Sequence, residues 1–285
     1  MEPRTPARRV RRFSVRAIWI SAAFGACLAF ASCGPKLKDS SDLPSAPESG
    51  PPFSPGERLS YKIKWGVFPV GSAVMEVGQP VDLNGTLCDR LVFSVRTNAF
   101  ADKFYKVRPR AESLVAPGFA RTLRYRKSQQ EGKTKREVLV EYDYDRLLAS
   151  YFNLGKLERE TVIPAQTFDP LAIAFLFRLK QPRPGEVRKL PTCDGKKFRE
   201  VEVKVGESET VRTLAGKYQT LPVLPAMENL SGVFKKSPDG LLRVWYSNDH
   251  RRIPVKISSK VVVGFFTAKL QKVENGGSER PSRLP

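Results

Sequence analysis

Histidine is nearly missing from this chain: His250 is the single one in 285 residues. A metal site built from several imidazoles is therefore excluded, and imidazole acid-base chemistry has one candidate. Cysteine is scarce as well, limited to Cys27, Cys33, Cys88 and Cys193, with no C-x-x-C spacing among them. The chain has no P-loop, no dinucleotide-binding glycine pattern and no cluster of carboxylates around a metal ligand, so neither a cofactor nor a metal is expected. Acidic side chains are in deficit, with Asp+Glu 29 against Lys+Arg 49 and a formal charge of +20. A long hydrophobic run is also lacking. The longest, Ala17 to Ala31, falls short of the roughly 20 apolar residues a membrane-spanning helix needs. The 41% hydrophobic content is nevertheless enough for one sizeable core.

What is present begins with arginine. Arg4, Arg8, Arg9, Arg11, Arg12 and Arg16 precede the apolar run, the charge-then-hydrophobic order of a secretory signal. The run ends Leu28-Ala29-Phe30-Ala31-Ser32-Cys33-Gly34, which resembles the lipobox of bacterial lipoproteins, with Phe30 where leucine is usual. Cys33 is thus the lipidation candidate, the alternative being ordinary signal-peptidase cleavage beside a free thiol. Acyl chains on this cysteine, palmitate among them, would add about 0.8 kcal/mol of membrane affinity per buried methylene. Gly34 in place of aspartate resembles outer-membrane rather than inner-membrane lipoproteins. Lys36 to Pro55 is rich in serine and proline and poor in apolar residues, a tether in composition. The organisation expected is a signal peptide over 1–32, anchor and tether over 33–55, one domain over 56–272 and a disordered tail over 273–285. Beyond residue 32 the chain still carries +15, from 43 basic and 28 acidic side chains. Export removes nucleic acid as a partner for that charge.

In the body the dominant period is two, the signature of strands with one buried face. Leu59, Tyr61, Ile63 and Trp65 alternate with polar residues, as do Leu91, Phe93 and Val95, and Val138, Val140, Tyr142 and Tyr144. The pattern returns at Val201, Val203 and Val205, at Leu242, Val244 and Tyr246, and at Ile253, Val255 and Ile257. Asn84-Gly85, Glu131-Gly132, Asp194-Gly195 and Asp239-Gly240 punctuate these runs as tight hairpin turns. The expectation is an all-β, mainly antiparallel fold: a large curved sheet or half-barrel of about ten to twelve strands. One segment breaks the pattern. Asp169 is a fitting N-cap and Pro170 a fitting first residue for a helix reaching Leu179, apolar almost all round and so expected inside the curve of the sheet.

Gly56-Glu57-Arg58-Leu59-Ser60-Tyr61, Gly71, Asp169-Pro170-Leu171 with Arg178, Gly185, Gly216-Lys217-Tyr218 and the run Trp245 to Val255 followed by Gly264 together resemble the bacterial exported proteins grouped as domain of unknown function 3108. The resemblance implies an envelope protein and no established activity.

Ser247, Asp249 and His250 mimic a catalytic triad, but residues this close along a strand end cannot converge as nucleophile, base and orienter. A hairpin with Asp249 capping the turn is the expectation. Lys106, Arg108 and Arg110 on one strand, with Arg124 and Arg126 on the next, form a candidate anion-binding plate. Glu137, Glu141, Asp143 and Asp145 on the strand after offer structural pairing instead. Cys88 and Cys193, each beside a turn, are a candidate disulfide in an oxidising compartment. No catalytic residue is assigned. The function expected is a lipid-anchored envelope module that binds or scaffolds a lipid, a glycan or an envelope protein. The alternative is a hydrolase or transferase acting on envelope polymers through Asp169, Asp249 or Glu112.

Overall fold

The computed structural model describes residues 51–131, 134–226, 241–261 and 264–275. The leader, Cys33, most of the tether, the Glu131-Gly132 and Asp239-Gly240 turns in part or whole, and most of the expected tail lie outside the described residues, β16 running on to Glu274.

Among the described residues, sixteen strands make one antiparallel sheet. In chain order they are β1 (Arg58–Trp65), β2 (Phe68–Val77), β3 (Val81–Leu83), β4 (Thr86–Thr97), β5 (Arg110–Val115), β6 (Thr122–Glu131), β7 (Thr134–Asp143) and β8 (Leu148–Asn153). They continue with β9 (Lys156–Val162), β10 (Val187–Cys193), β11 (Phe198–Val205), β12 (Glu209–Thr213), β13 (Gly216–Pro225), β14 (Leu241–Ser247), β15 (Pro254–Val261) and β16 (Gly264–Glu274). The spatial order is β10-β11-β13-β14-β15-β16-β1-β2-β4-β5-β6-β7-β8-β9, with β12 on β13 and β3 on β4. The first and last strands meet in the middle, where β1 lies between β16 and β2. The count exceeds the ten to twelve expected because β3 and β12 are short and β9 has no buried stripe to betray it.

The ladder is not closed, yet its two outer strands approach each other. Thr161 Oγ1 donates to the Gly195 carbonyl (2.9 Å), Arg159 to Lys196 O (3.0 Å), and Tyr142 to Cys193 O (2.6 Å). Backbone bonds join Phe168 to Pro191 and Cys193. Gly195 sits in this seam at φ 86°, where an added Cβ would lie 2.7 Å from a Val140 methyl. Glycine here lets the β10–β11 turn lie flat on β7.

Among the described residues two α-helices interrupt the sheet: α1 (Ala99–Asp102) and α2 (Pro170–Leu179). The sheet curls around α2, whose Leu171, Ala172, Phe175, Leu176, Phe177 and Leu179 are all buried. Facing them are the inward members of the alternating runs, Leu59, Tyr61 and Ile63 on β1, Leu91, Phe93 and Val95 on β4, and Val201, Val203 and Val205 on β11. Each large aliphatic or aromatic side chain so placed contributes about 1.5–3 kcal/mol. At one end Phe53 closes the core edge-on against Phe119 (5.7 Å) and Phe175 (5.3 Å).

Candidate functional site

The interior holds several buried polar side chains, and Asp169, Arg178, Glu57 and Arg188 among them hold α2. Asp169 is fully buried; its carboxylate accepts from Leu171 N (2.8 Å), Ala172 N (3.1 Å), Thr122 Oγ1 (2.7 Å) and the Ser113 hydroxyl. This is the N-cap that the sequence announces, strengthened by two hydroxyls from β5 and β6. Burial pushes the Asp169 carboxyl above the usual carboxylate range, against the pull of those four hydrogen bonds. At the other end of α2, Arg178 is completely enclosed and forms a two-pronged pair with Glu57, at 2.6 and 2.9 Å. Carbonyls at and just beyond the helix end are met by arginines: Arg252 donates to Arg178 O and to Leu179 O, and Arg188 to Lys180 O (3.2 Å) and Gln181 O (3.1 Å) in the segment that follows. Cationic donors at a helix C-terminus satisfy both its free carbonyls and its dipole.

The acid-base candidates of the alternative enzyme reading are thereby separated. Asp169 is in the interior. Glu112 is on the outer face, bonded to Arg90 at 2.7 and 3.0 Å. Asp249 is in the β14–β15 turn, accepting from Ser247 Oγ (2.8 Å), Arg251 N (3.0 Å) and Arg252 N (3.1 Å). His250 is exposed at the tip of that turn. Among the described residues no group of three or more His, Cys, Asp or Glu could hold a metal.

The basic plate is not assembled as expected. Lys106 and Arg108 precede β5 instead of sharing it with Arg110, because Pro109 follows Arg108 and the chain is still turning out of α1. Arg108 folds back onto Asp102 (2.6 Å) and Thr97 Oγ1 (2.7 Å). Arg110 reaches Glu112 (3.4 Å), and Arg124 pairs with Glu141 (2.9 Å) across β6 and β7. Arg126 and Lys106 are exposed. The four acids do not share one strand face either: Glu137 and Glu141 face outward on β7, but Asp143 caps the next turn through Asp145 N (3.0 Å) and Arg146 N (2.9 Å), with Asp145 beyond the strand. Cys88 and Cys193 are not bridged; they are separate buried thiols, since Cys88 is registered opposite Val81 and Cys193 opposite Phe198. Burial pushes the Cys193 thiol up to about 12, that of a structural and unreactive cysteine.

A different set of cations is brought together where the first and last strands meet. Lys256 on β15 is opposite Lys269 on β16, which is opposite Lys62 on β1, followed in register by Ser72 on β2 and Arg96 on β4. Like charges directly opposed across strands destabilise a sheet. Lys256 is stacked over Trp245 at 3.8 Å, and its ammonium is held below the usual lysine range by burial, then by Lys269 and Arg243. Beside this row lies a shallow depression of about 330 Å³ lined by Lys62, Ser72, Arg96, Asn98 and Gln271, with Gly71 in its floor and no carboxylate in its wall. A Cβ at Gly71 would lie 2.4 Å from the Arg96 carbonyl, so glycine lets β2 and β4 close up beneath the depression. Alternation marks Lys62 and Lys64 as outward-facing, but only the pairing of β1 with β16 sets Lys62 beside Lys269.

Comparison with known proteins follows the fold. The family model described as "Protein of unknown function (DUF3108)" matches residues 60–271. The chain belongs to this family. No curated protein matches it. Among solved structures, this DUF3108 chain is similar to a β-barrel-like protein of the family DUF1849 from Brucella abortus, with 12% identity, a TM-score of 0.52, and coverage of 79% of this chain and 99% of that one. That likeness shows a barrel-like fold. Weaker similarity, at TM-scores of 0.36 and 0.37, links it to a candidate exported protein of YmcC-like fold from Bacteroides fragilis (13% identity, 79% and 98% coverage) and to a candidate lipoprotein from Parabacteroides distasonis (10% identity, 79% and 98% coverage).

Proposed function

We propose that this DUF3108 protein is a lipid-anchored module of the cell envelope, held by Cys33 on the periplasmic side of the outer membrane, that binds an anionic lipid or glycan group on the outer face of its sheet. It is proposed as a non-enzymatic binding or scaffold protein. The observation that carries the reading is the depression of Lys62 and Arg96, which has cations, amides and a hydroxyl but no carboxylate in its lining. Phosphate and carboxylate groups are what such a surface attracts. The packed α2 favours this outer face over a carrier's internal cavity, because the space a lipid chain would need is taken by Phe175, Leu176 and Phe177. Signal sequence, lipobox and tether support the anchor.

Two measurements test the two parts. Cys33→Ala is expected to abolish incorporation of labelled palmitate and to move the exported chain out of the detergent-soluble membrane fraction; unchanged labelling would remove the anchor. For the surface, glycerol phosphate titrated into the protein is expected to shift the amide resonances of Ser72, Arg96 and Asn98. The double variant Lys62→Glu with Arg96→Glu should lose that response while unfolding at a denaturant midpoint no lower than the native one, since a carboxylate at position 62 would face Lys269. Shifts that persist in the double variant would refute the site.

A further inference from the structure

The depression opens at one end of the barrel, and the turns at that end are apolar. Val67 and Phe68 at the β1–β2 turn, Phe100 and Phe104 around α1, and Phe265 at the start of β16 are exposed by 77, 58, 56, 76 and 52%. They form a connected rim. Gly66 N donates to Phe265 O (2.9 Å), Asn98 Nδ2 to Pro69 O (2.8 Å), and the Phe100 and Phe104 rings meet edge-on at 5.4 Å. Phenylalanine is costly to leave in water, so a contiguous set of exposed rings on turns marks a surface that is covered in use.

The charges around the rim have one sign. Lys64, Lys103 and Lys106 are exposed beside it, and Lys260 lies over the Phe265 ring at 5.8 Å. Asp102, the carboxylate of α1, is already neutralised by Arg108 at 2.6 Å. Rings at the tips with lysines behind them match the layering of an anionic bilayer, where apolar groups enter the acyl boundary and ammonium groups meet phosphates. The chain enters the domain at the opposite end, where Phe53 packs on Phe175. Between Cys33 and Pro52 there are about 20 residues, enough to extend up to roughly 65 Å, whereas β1 is about 26 Å long. An anchored chain can therefore lay this far end against the membrane.

We infer that the rim of Val67, Phe68, Phe100, Phe104 and Phe265 is a bilayer-docking surface selective for anionic phospholipid headgroups. The inference builds on the reading of the outer face as the working surface, but its test needs neither the anchor nor the depression. The processed chain, residues 33–285 carrying Cys33→Ser so that it has no acyl group, is sedimented with vesicles of phosphatidylcholine alone or mixed with phosphatidylglycerol. Binding is expected only to the mixed vesicles, and should weaken as salt shortens the screening length from about 30 to 8 Å. Phe100→Ser with Phe104→Ser should lower partition at least about tenfold, and Lys64→Gln with Lys103→Gln about 25-fold, near fivefold for each charge. Leu87→Ser, exposed at the other end, should leave it unchanged. Val67→Ser with Phe68→Ser repeats the test should the α1 pair unfold. No binding to mixed vesicles, equal binding to both kinds, or binding indifferent to both phenylalanine pairs would overturn the inference. Loss of binding in Lys62→Glu with Arg96→Glu while the phenylalanine pairs bind normally would assign the vesicles to the depression and refute the rim.

Discussion

Replacing Arg178 with methionine is expected to destabilise the domain by about 3–5 kcal/mol, the cost of leaving a buried charge without its partner. The guanidinium is fully enclosed and paired through both nitrogens with Glu57, itself 5% exposed. It also donates to Arg251 O (3.2 Å) and lies 4.8 Å from the centre of the Phe53 ring. Removing it strands the Glu57 carboxylate among apolar groups, with Arg251 at 4.0 Å as a distant remaining cation. Glu57→Gln alone should cost a comparable amount, for the same reason in reverse. The double variant, Glu57→Gln with Arg178→Met, is the informative one: with no stranded charge it should recover most of the loss. Urea unfolding with midpoints compared at constant slope measures each arm. Strictly additive losses would show that the pair is not coupled. This one contact joins the residue just before β1 to the end of α2, so it also fixes how the helix sits in the barrel.

Asp169→Ala should cost about 3 kcal/mol, combining the loss of an N-cap with two buried hydroxyls left without an acceptor. Asp169→Asn retains an acceptor for Leu171 N and Ala172 N and should cost distinctly less. The two variants also differ from the native chain in pH dependence. Burial raises the Asp169 carboxyl in the folded state above its unfolded value of about 3.9. The folded state then binds the proton more tightly than the unfolded one. The contribution of this group is fully present below that unfolded value and is lost as pH rises through the raised folded value. The stability gap between the native chain and Asp169→Asn should therefore move in favour of asparagine as pH climbs from about 4 toward neutrality. A gap that widens in favour of aspartate over that interval would mean that the four hydrogen bonds outweigh burial.

Much of the fold was legible because its signals are local. Asp169-Pro170 opens α2, and Leu179 ends it, since capping and the fixed φ of proline act within one turn. The burial of Leu59, Tyr61 and Ile63 follows from alternation. Asp249 as a turn cap was readable in the same way, from a short acidic side chain just after a strand. The short strands β3 and β12 were less legible, because three to five residues carry too little pattern to be separated from the turns beside them.

The proposed binding surface was harder to read. The plate drawn from Lys106, Arg108, Arg110, Arg124 and Arg126 treated neighbours in sequence as neighbours on one strand. Pro109 delays the start of β5, and Arg108 finds Asp102 behind it. The row Lys256, Lys269 and Lys62 could not be seen at all by local reasoning, because it joins residues from both ends of the domain. The same holds for Arg178 and Glu57, separated by 121 positions.

By itself the sequence determined the β alternation and the helix opened by Asp169-Pro170, both properties of adjacent residues, and, with one histidine, the lack of a multi-histidine centre. Only the tertiary structure decided that α2 fills the curve of the sheet, that the two cysteines stay apart, and that the apolar turns gather at one end beside a depression with no carboxylate in its lining. The physical reason is register: alternation fixes which face a side chain occupies, whereas the pairing of distant strands fixes what stands next to it.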